Sequence, residues 1–261
     1  MDTATRITWL GHATVTLDVT GTQGPVRILT DPVLGARCGA LARLPDTPDV
    51  AAWVAPDAIL LSHLHHDHAD IPSLRRLHRV PIAASADNLG WVARNKLTPA
   101  LTPRPDATNP WWTVAPGVQV RLVRADHVSR PMPHRPNAAA GFLIRTPEHV
   151  IWFAGDTSLY PELDRMPELA GAPIDVALVP IGGWGPRLSP GHLGPVEAAE
   201  AVALIGAAQV VPIHYGTLYP RGWPAARLTW LTAPAERLVE VMPQWSRAVV
   251  HPLSAGESLM L

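Results

Sequence analysis

The sequence of 261 residues predicts an α/β protein in which two sheets pack together with helices outside. The first observation is that apolar, strand-like segments alternate with helix-like segments along the chain. The second is that the chain has two strand-rich halves of similar length, each with helices. We therefore expect one compact domain over residues 1–261.

Strand patterns in the first half lie at Arg6–Leu10, Thr14–Val19, Val26–Thr30, Ala58–Leu61 and Pro81–Ala84. A long loop without predicted structure runs from Asp31 to about Pro56. Helices are predicted from Asp70 to Arg79 and from Ala86 to Lys96. Asp70 can cap the first of these helices, and Pro72 fits its first turn.

Strand patterns in the second half lie at Trp111–Ala115, Val118–Ala125, Gly141–Thr146, Val150–Ala154, Asp175–Pro180 and Gln209–Ile213. Helices are predicted at about Pro195–Ile205 and Pro234–Met242. In the first of them we expect an inward face made of Val196, Ala199, Val202 and Ala203.

Composition narrows the class of protein. Apolar residues are 47% and charged residues 16% of the chain, which indicates a globular protein. The net charge is −1 and Lys96 is the only lysine, which disfavours a nucleic-acid partner. Cys38 is the only cysteine, so an intramolecular disulfide is excluded, and its role is left open. Without a signal pattern or a transmembrane segment, we expect a soluble, cytoplasmic protein.

The most informative stretch is His63-Leu64-His65-His66-Asp67-His68, which follows the apolar strand Ala58–Leu61. Imidazole and carboxylate groups suit a borderline divalent metal such as zinc. His63 and His65 are two residues apart, so in an extended segment they leave the backbone on the same side and can bind one ion together. Asp67 and His68 could hold a second ion, at roughly 3.5–4 Å from the first. The alternative is a polar loop with fortuitous histidines.

Polar residues also follow other strand patterns, as expected where loops on a rigid scaffold carry function. His127, Asp156 and His214 each stand at the end of a predicted strand. Each is a candidate ligand, although a buried histidine or aspartate often only hydrogen-bonds the backbone.

The motif His-x-His-x-Asp-His, followed by a single His, Gly155-Asp156-Thr157 and a final His, resembles the metallo-β-lactamase-fold hydrolases. Segments such as Trp9–Thr14, Leu29–Pro32 and Val179–Trp184, with His192–Ala198 and Val211–Thr217, are similar to one branch. That branch contains N-acyl-phosphatidylethanolamine phospholipase D and L-ascorbate-6-phosphate lactonase. The resemblance implies a four-layer αββα sandwich with a binuclear site on its rim.

By position, the resemblance implies two divalent ions, with Zn²⁺ first and Mn²⁺ or Fe²⁺ as alternatives. The first would be held by His63, His65 and His127, the second by Asp67, His68 and His214, with Asp156 bridging. A water shared by two cations is acidified, so hydroxide is available near neutral pH, and Asp67 can orient it or receive its proton.

The resemblance also places other residues near the ions. His192 is expected to bind a substrate oxygen or deliver a proton to the leaving group, unless it only caps a helix or bonds a loop carbonyl. His12 and Asp31 would orient the ligands, and Asp31 could instead cap a turn. Trp184, Arg187 and Tyr215 are candidate substrate contacts, and for Arg187 a solvated surface position is the alternative.

The leading hypothesis is a binuclear hydrolase that cleaves a phosphodiester or a lactone-like ester of a small anionic metabolite or a phospholipid. The alternative is an iron-loaded redox protein or a non-catalytic ligand-binding protein of the same fold. Peripheral contact with lipid is left open because Leu41, Leu44 and Trp53 lie in the Arg37–Pro56 loop. We also expect a homo-oligomer.

Overall fold

The structure is a computed structural model that describes residues 4–97, 110–127, 135, 137–224 and 228–261. The strands in chain order are β1 (Arg6–Gly11), β2 (Thr14–Gly21), β3 (Gly24–Thr30), β4 (Arg37–Cys38), β5 (Leu41–Arg43), β6 (Ala58–Leu60), β7 (Ile82–Ala83), β8 (Trp112–Ala115), β9 (Val118–Arg124), β10 (Ala140–Arg145), β11 (Val150–Phe153), β12 (Val176–Pro180), β13 (Gln209–Ile213), β14 (Leu218–Pro220), β15 (Val249–Val250) and β16 (Ser258–Met260). The α-helices are α1 (Ile71–Arg76), α2 (Leu89–Arg94), α3 (Met166–Ala170), α4 (Pro195–Ile205) and α5 (Thr229–Val241).

Two large sheets form the centre of the protein. The first has the strand order β16-β1-β2-β3-β6-β7, and the second has the order β15-β13-β12-β11-β10-β9-β8. In each sheet, antiparallel hairpins give way to parallel pairs, such as β3 with β6 and β11 with β12. The parallel strands carry their carboxyl ends to one edge, which is where open α/β sheets bind ligands.

The apolar side chains fill the space between the sheets and the space behind them. Ile7, Val15 and Leu17 of the first sheet share one core with Val120 and Phe142 of the second. On the other face of the first sheet, Leu29 and Ile59 pack with Leu74 of α1 and Trp91 of α2. The helices α3, α4 and α5 supply Met166, Val202 and Leu238 to the core on the side of the second sheet. The fold is therefore the expected four-layer αββα sandwich.

The helices confirm part of the prediction. The bounds of α4 are those predicted, and the Asp70 side chain caps α1 by accepting a hydrogen bond from the Ser73 N–H. Two expectations are wrong. Helix α5 begins at Thr229, before the predicted start at Pro234, so the proline lies inside the helix. The helix starts earlier because the buried side chain of Leu231 anchors its first turn. Val196 is 38% exposed, because the inward face of α4 is centred on Ala198, Val202 and Ile205.

The segment Arg37–Pro56, predicted to lack regular structure, is also a correction. It contains β4 and β5, which form a small sheet with β14, and a 3₁₀ helix at Val50–Ala52. These strands have two or three residues each, too few for a period-2 pattern to be detected in the sequence. Within the described residues, every helix is too short or too polar to cross a membrane.

Candidate metal centre

Six strands of the two large sheets end at one rim of the sandwich, and each is followed by a polar residue. His12 follows β1, Asp31 follows β3, the stretch from His63 to His68 follows β6, His127 follows β9, Asp156 follows β11 and His214 follows β13. In the described part of the chain, most of these residues fall into two main groups. Within each group, all the ligand atoms lie within 4.8 Å of one another. We call His63, His65, His127 and Asp156 the first group, and Asp67, His68, His214 and His12 the second group.

Three imidazole nitrogens converge in the first group. The distance from His63 Nε2 to His65 Nδ1 is 2.9 Å, and that from His127 Nε2 to His65 Nδ1 is 3.2 Å. The other nitrogen of His127, Nδ1, donates to the Gly191 carbonyl at 2.8 Å. His63 Nδ1 lies 3.0 Å from the Ser62 hydroxyl, which itself donates to Asp31. His63 Nδ1 is therefore a donor, and both Nε2 atoms carry lone pairs directed at His65.

This arrangement fits a metal ion. A proton on His65 Nδ1 could serve only one of the two facing nitrogens, whereas one divalent cation accepts all three lone pairs. Burial lowers the pKa of His63, lowers that of His65 to about 4 and lowers that of His127. All three imidazoles are thus kept neutral, which is the form that binds metals.

The second group is built around His68. Its Nε2 lies 3.1 Å from His214 Nε2 and 3.7 Å from Asp67 Oδ2, and Asp67 Oδ2 lies 3.5 Å from His214 Nε2. His214 Nδ1 donates to the Gly182 carbonyl at 2.8 Å, so its Nε2 lone pair points into the group. Burial opposes a charge on His68, but Asp156, Asp67 and Asp31 raise its pKa well above the ordinary value. The carboxylates therefore favour positive charge at this point.

Asp156 lies between the two groups. Its Oδ2 is 3.7 Å from His63 Nε2 and 3.1 Å from His68 Nε2, and its Oδ1 is 3.3 Å from His214 Nε2. Oδ1 is buried and accepts no hydrogen bond from any described residue. A buried carboxylate oxygen without a hydrogen-bond donor, placed beside ligands of both groups, fits a position that faces cations.

Outer partners fix the orientation of the ligands. His12 Nε2 lies 2.9 Å from Asp67 Oδ2, and burial lowers the pKa of His12 to about 3. A neutral His12 is therefore the donor in this bond. Asp31 Oδ2 accepts hydrogen bonds from His68 Nδ1 at 2.7 Å and from the Ser62 hydroxyl, while Asp31 Oδ1 accepts from the Ser62 N–H at 2.7 Å. These contacts select the imidazole nitrogen that faces inward.

The backbone is strained where the site is built. His12, Asp31 and His214 have φ angles of 54°, 29° and 61°, which residues other than glycine seldom adopt. Gly155, just before Asp156, has φ of 61°, and a Cβ there would lie 2.8 Å from Ser62 Cβ. Such conformations persist only where the surrounding structure over-determines them, as at functional sites.

A cleft of about 760 Å³ opens on the two groups. His192 lines it, with Nε2 at 3.3 Å from Asp156 Oδ2 and Nδ1 donating to the Ser189 carbonyl at 3.0 Å. Burial opposes a charge on His192, but Asp156 raises its pKa. Trp184 and Arg187 also line the cleft.

Tyr215, the third expected substrate contact, is placed elsewhere. It is buried, its ring stacks on Trp9 with centroids 4.9 Å apart, and its hydroxyl donates to the Leu253 carbonyl at 3.4 Å. It is absent from the described residues that line the cleft. The Tyr215 side chain thus packs in the interior beside Trp9 rather than facing the cleft.

Sequence reasoning missed two residues that support the site. Ser62 is adjacent to His63, and its hydroxyl links that imidazole to Asp31. Its position as a small polar residue directly before the motif could have identified it from the sequence. Arg43 is buried and donates to the carbonyls of Leu10, Val33 and Gly35, beside the turns that carry His12 and Asp31. Nothing in the sequence around Arg43 distinguishes it from a solvated arginine.

Comparison with known proteins gives a consistent assignment. Residues 26–215 match the family described as the β-lactamase superfamily domain. A UPF0173 metal-dependent hydrolase of Pyrococcus abyssi is 31% identical over 260 residues, covering 98% of this chain and 99% of its own. Another of the same description, from Pyrobaculum aerophilum, is 32% identical and covers 81% of this chain and 84% of its own.

Among solved structures, the metallo hydrolase Igni18 from Ignicoccus hospitalis superposes with a TM-score of 0.72, at 21% identity. The alignment covers 99% of each chain, and at this identity it supports the fold alone. The narrower resemblance to the phospholipase and lactonase branch stays a prediction. The matches over most of the chain, together with the two His/Asp groups, show that the chain belongs to the β-lactamase superfamily and, within it, to the UPF0173 metal-dependent hydrolases.

Proposed function

We propose that the protein is a binuclear hydrolase that cleaves a phosphodiester or a lactone-like ester of a small anionic metabolite or a phospholipid. His63, His65 and His127 would hold one divalent ion, and Asp67, His68 and His214 would hold the other. Asp156 would contact both ions, because its two oxygens face ligands of both groups. Zn²⁺ is the proposed metal, since neutral imidazoles and carboxylates are its usual ligands.

The convergence of three neutral imidazole nitrogens in the first group carries this proposal. Two of them, His63 Nε2 and His127 Nε2, lie 2.9 and 3.2 Å from the third, and both have their other nitrogen engaged as a donor. Bound divalent ions supply a water of lowered pKa as the nucleophile and polarise the oxygen of the bond under attack.

Two residues of the chain would orient the reactants and transfer protons. Asp67 lines the cleft, and although burial opposes it, His68, His12 and His214 hold its pKa well below the ordinary value. Asp67 therefore stays a carboxylate, and the bond from His12 fixes it as an acceptor for a proton of the attacking water. His192 lines the cleft and donates to the Ser189 carbonyl, and in this proposal it would bind a substrate oxygen or protonate the leaving group.

The test is the metal content per chain of untreated protein, measured by mass spectrometry, together with turnover of bis(p-nitrophenyl) phosphate and a panel of lactones. We expect about two zinc or manganese ions per chain, as two-metal hydrolytic sites require. Turnover should disappear in His65→Ala and persist in His78→Ala, an exposed histidine outside the cleft. Iron without hydrolysis, or protein that binds no metal, would contradict the proposal.

A further inference from the structure

The cleft has two walls of different origin. One wall is the small sheet, which supplies Leu41 of β5 and Pro220 of β14, and the other is the loop 183–192. Its volume, about 760 Å³, is in the range of small-molecule sites, roughly 300–1,000 Å³. A substrate in this cleft would contact both walls beside the metal groups.

The loop wall presents apolar side chains to solvent. Trp184 and Leu188 are 46% and 39% exposed, although side chains of this kind are favoured in the interior. Leu188 lies beside Gly183, since a Cβ at that glycine would be 3.3 Å from Leu188 Cδ2 and 3.9 Å from His214 Cε1. The apolar part of the loop therefore extends to the second metal group.

Arg187 lies between these two residues in the sequence and lines the same cleft. It is exposed and, among the described residues, it forms no ion pair, unlike Arg27, which pairs with Asp18, and Arg124, which pairs with Glu162. The carboxylates that line the cleft, Asp67 and Asp156, belong to the metal groups. The planar fork of donors on the Arg187 guanidinium therefore suits an anion that enters the cleft.

We propose that the cleft selects an amphiphilic substrate whose anionic group is bound by Arg187 while an apolar chain or ring lies against Trp184 and Leu188. This inference rests on the proposed function and specifies its substrate class. Arg187 lines the same cleft as the metal groups, so its guanidinium can contact a substrate that lies beside them. The occupant we favour is a dissolved small molecule, because the cleft has the volume of a single ligand.

The test uses the metal-loaded protein and alkanesulfonates, which carry an anion but are weak metal ligands. Binding of 1-butanesulfonate, 1-octanesulfonate and neutral 1-octanol is measured by isothermal titration calorimetry. We expect octanesulfonate to bind about tenfold more tightly than butanesulfonate, because its longer chain buries more apolar surface. It should also bind about tenfold more tightly than octanol, because it bonds to a charged donor.

Matched variants separate the two contributions. Arg187→Gln should remove the preference of the protein for octanesulfonate over octanol, whereas Arg221→Gln, an exposed arginine outside the cleft lining, should keep it. Leu188→Ala should reduce the chain-length effect, whereas Leu204→Ala, a similarly exposed leucine on α4, should not. Equal binding of octanesulfonate to the Arg187→Gln and Arg221→Gln variants would overturn the proposal.

Two further measurements complete the design. Turnover of bis(p-nitrophenyl) phosphate is followed in the same samples. Absence of this turnover together with absence of turnover of the lactone panel would refute the proposed function, whereas turnover of either without Arg187-dependent sulfonate binding would refute only the substrate class. Cosedimentation with vesicles of anionic phospholipid should be negligible. Strong cosedimentation that requires Arg187 and is displaced by octanesulfonate would show that the anion is a lipid headgroup, and would overturn the choice of a dissolved substrate.

Discussion

The two metal groups differ in how firmly their ligands are held. In the second group every residue is buried; the outer nitrogens of His68 and His214 are bonded to Asp31 and the Gly182 carbonyl, and Asp67 accepts a hydrogen bond from His12. In the first group, His65 and His127 are only half-buried. His65 Nε2 forms no hydrogen bond to any described residue, and His65 lines the cleft.

This difference indicates that the two groups have different roles within one centre. Ligands that are tied on their outer side need little ordering when an ion binds, so we expect the second group to be the more preorganised of the two. In the first group His63 and His127 are tied in the same way, and the difference lies in His65, which lines the cleft. We expect the second group to retain its ion more strongly, and substitutions at Asp156, His192, Asp31 and Ser62 test this view of the site.

The largest effect is expected from Asp156→Ala, because Asp156 is the residue that contacts ligands of both groups. Removing it leaves two clusters of imidazoles without their shared carboxylate, so both ions should be lost. Activity should fall by more than the roughly 10–100-fold that removal of an outer partner causes. Metal content by mass spectrometry and turnover of bis(p-nitrophenyl) phosphate measure the two effects together.

The matched variant for this test is His127→Ala, which removes a ligand of the first group only. It should release one ion and leave the second group loaded. If Asp156→Ala retained two ions per chain, Asp156 would not be the shared ligand, and the two groups would be independent sites.

The next effect concerns the cleft side of the centre, where His192 contacts Asp156 and packs edge-on against His127. His192→Ala should lower turnover by about 10²–10⁴-fold, the contribution of a positioned proton donor, with the metal content unchanged. His78→Ala is the control, since that histidine is exposed and outside the cleft. Unchanged turnover would remove His192 from the mechanism, and loss of an ion would make it a ligand of the first group.

The sequence prediction was accurate where a feature depends on residues adjacent in the chain, and it failed where the feature depends on contacts between distant segments. The ligand-rich stretch from His63 to His68 and the strand ends before His127, Asp156 and His214 were predictable, because each depends on residues adjacent in the chain. The metal roles of these residues stay predictions, as does the single domain over residues 1–261. The homo-oligomer also stays a prediction.

The cleft wall, in contrast, is assembled by pairing distant segments. Leu41 of β5 pairs with Pro220 of β14, which places two short strands from far apart in the chain beside the metal groups. Strands this short carry no periodicity, and their pairing is decided by the tertiary structure. For the same reason Tyr215, adjacent to a ligand in sequence, could be expected at the cleft although it stacks on Trp9 in the interior.

The smallest effect separates the outer partners of the two groups. Asp31 bonds His68 of the second group directly and reaches His63 of the first group only through the Ser62 hydroxyl. Asp31→Asn should therefore weaken metal binding in both groups, by about 10–100-fold, because Asp31 accepts hydrogen bonds at both oxygens and an amide has only one acceptor oxygen. The NH2 group of the asparagine would face either the Ser62 N–H or the donors on Ser62 and His68. Ser62→Ala removes the hydroxyl that bonds His63 Nδ1 and Asp31 Oδ2 but keeps the bond between Asp31 and His68, so it should weaken the first ion alone, by about tenfold.

Stepwise zinc titration in competition with a chromophoric chelator measures the two affinities separately. Ser73→Ala is the control for Ser62→Ala, because it removes another buried serine hydroxyl, one that donates to Asp70 rather than to Asp31 and accepts from the Leu34 N–H. It should leave both zinc affinities unchanged. If Ser62→Ala weakened the second ion as strongly as the first, Ser62 and Asp31 would orient the ligands of both groups together. The two groups would then not differ in how they are held.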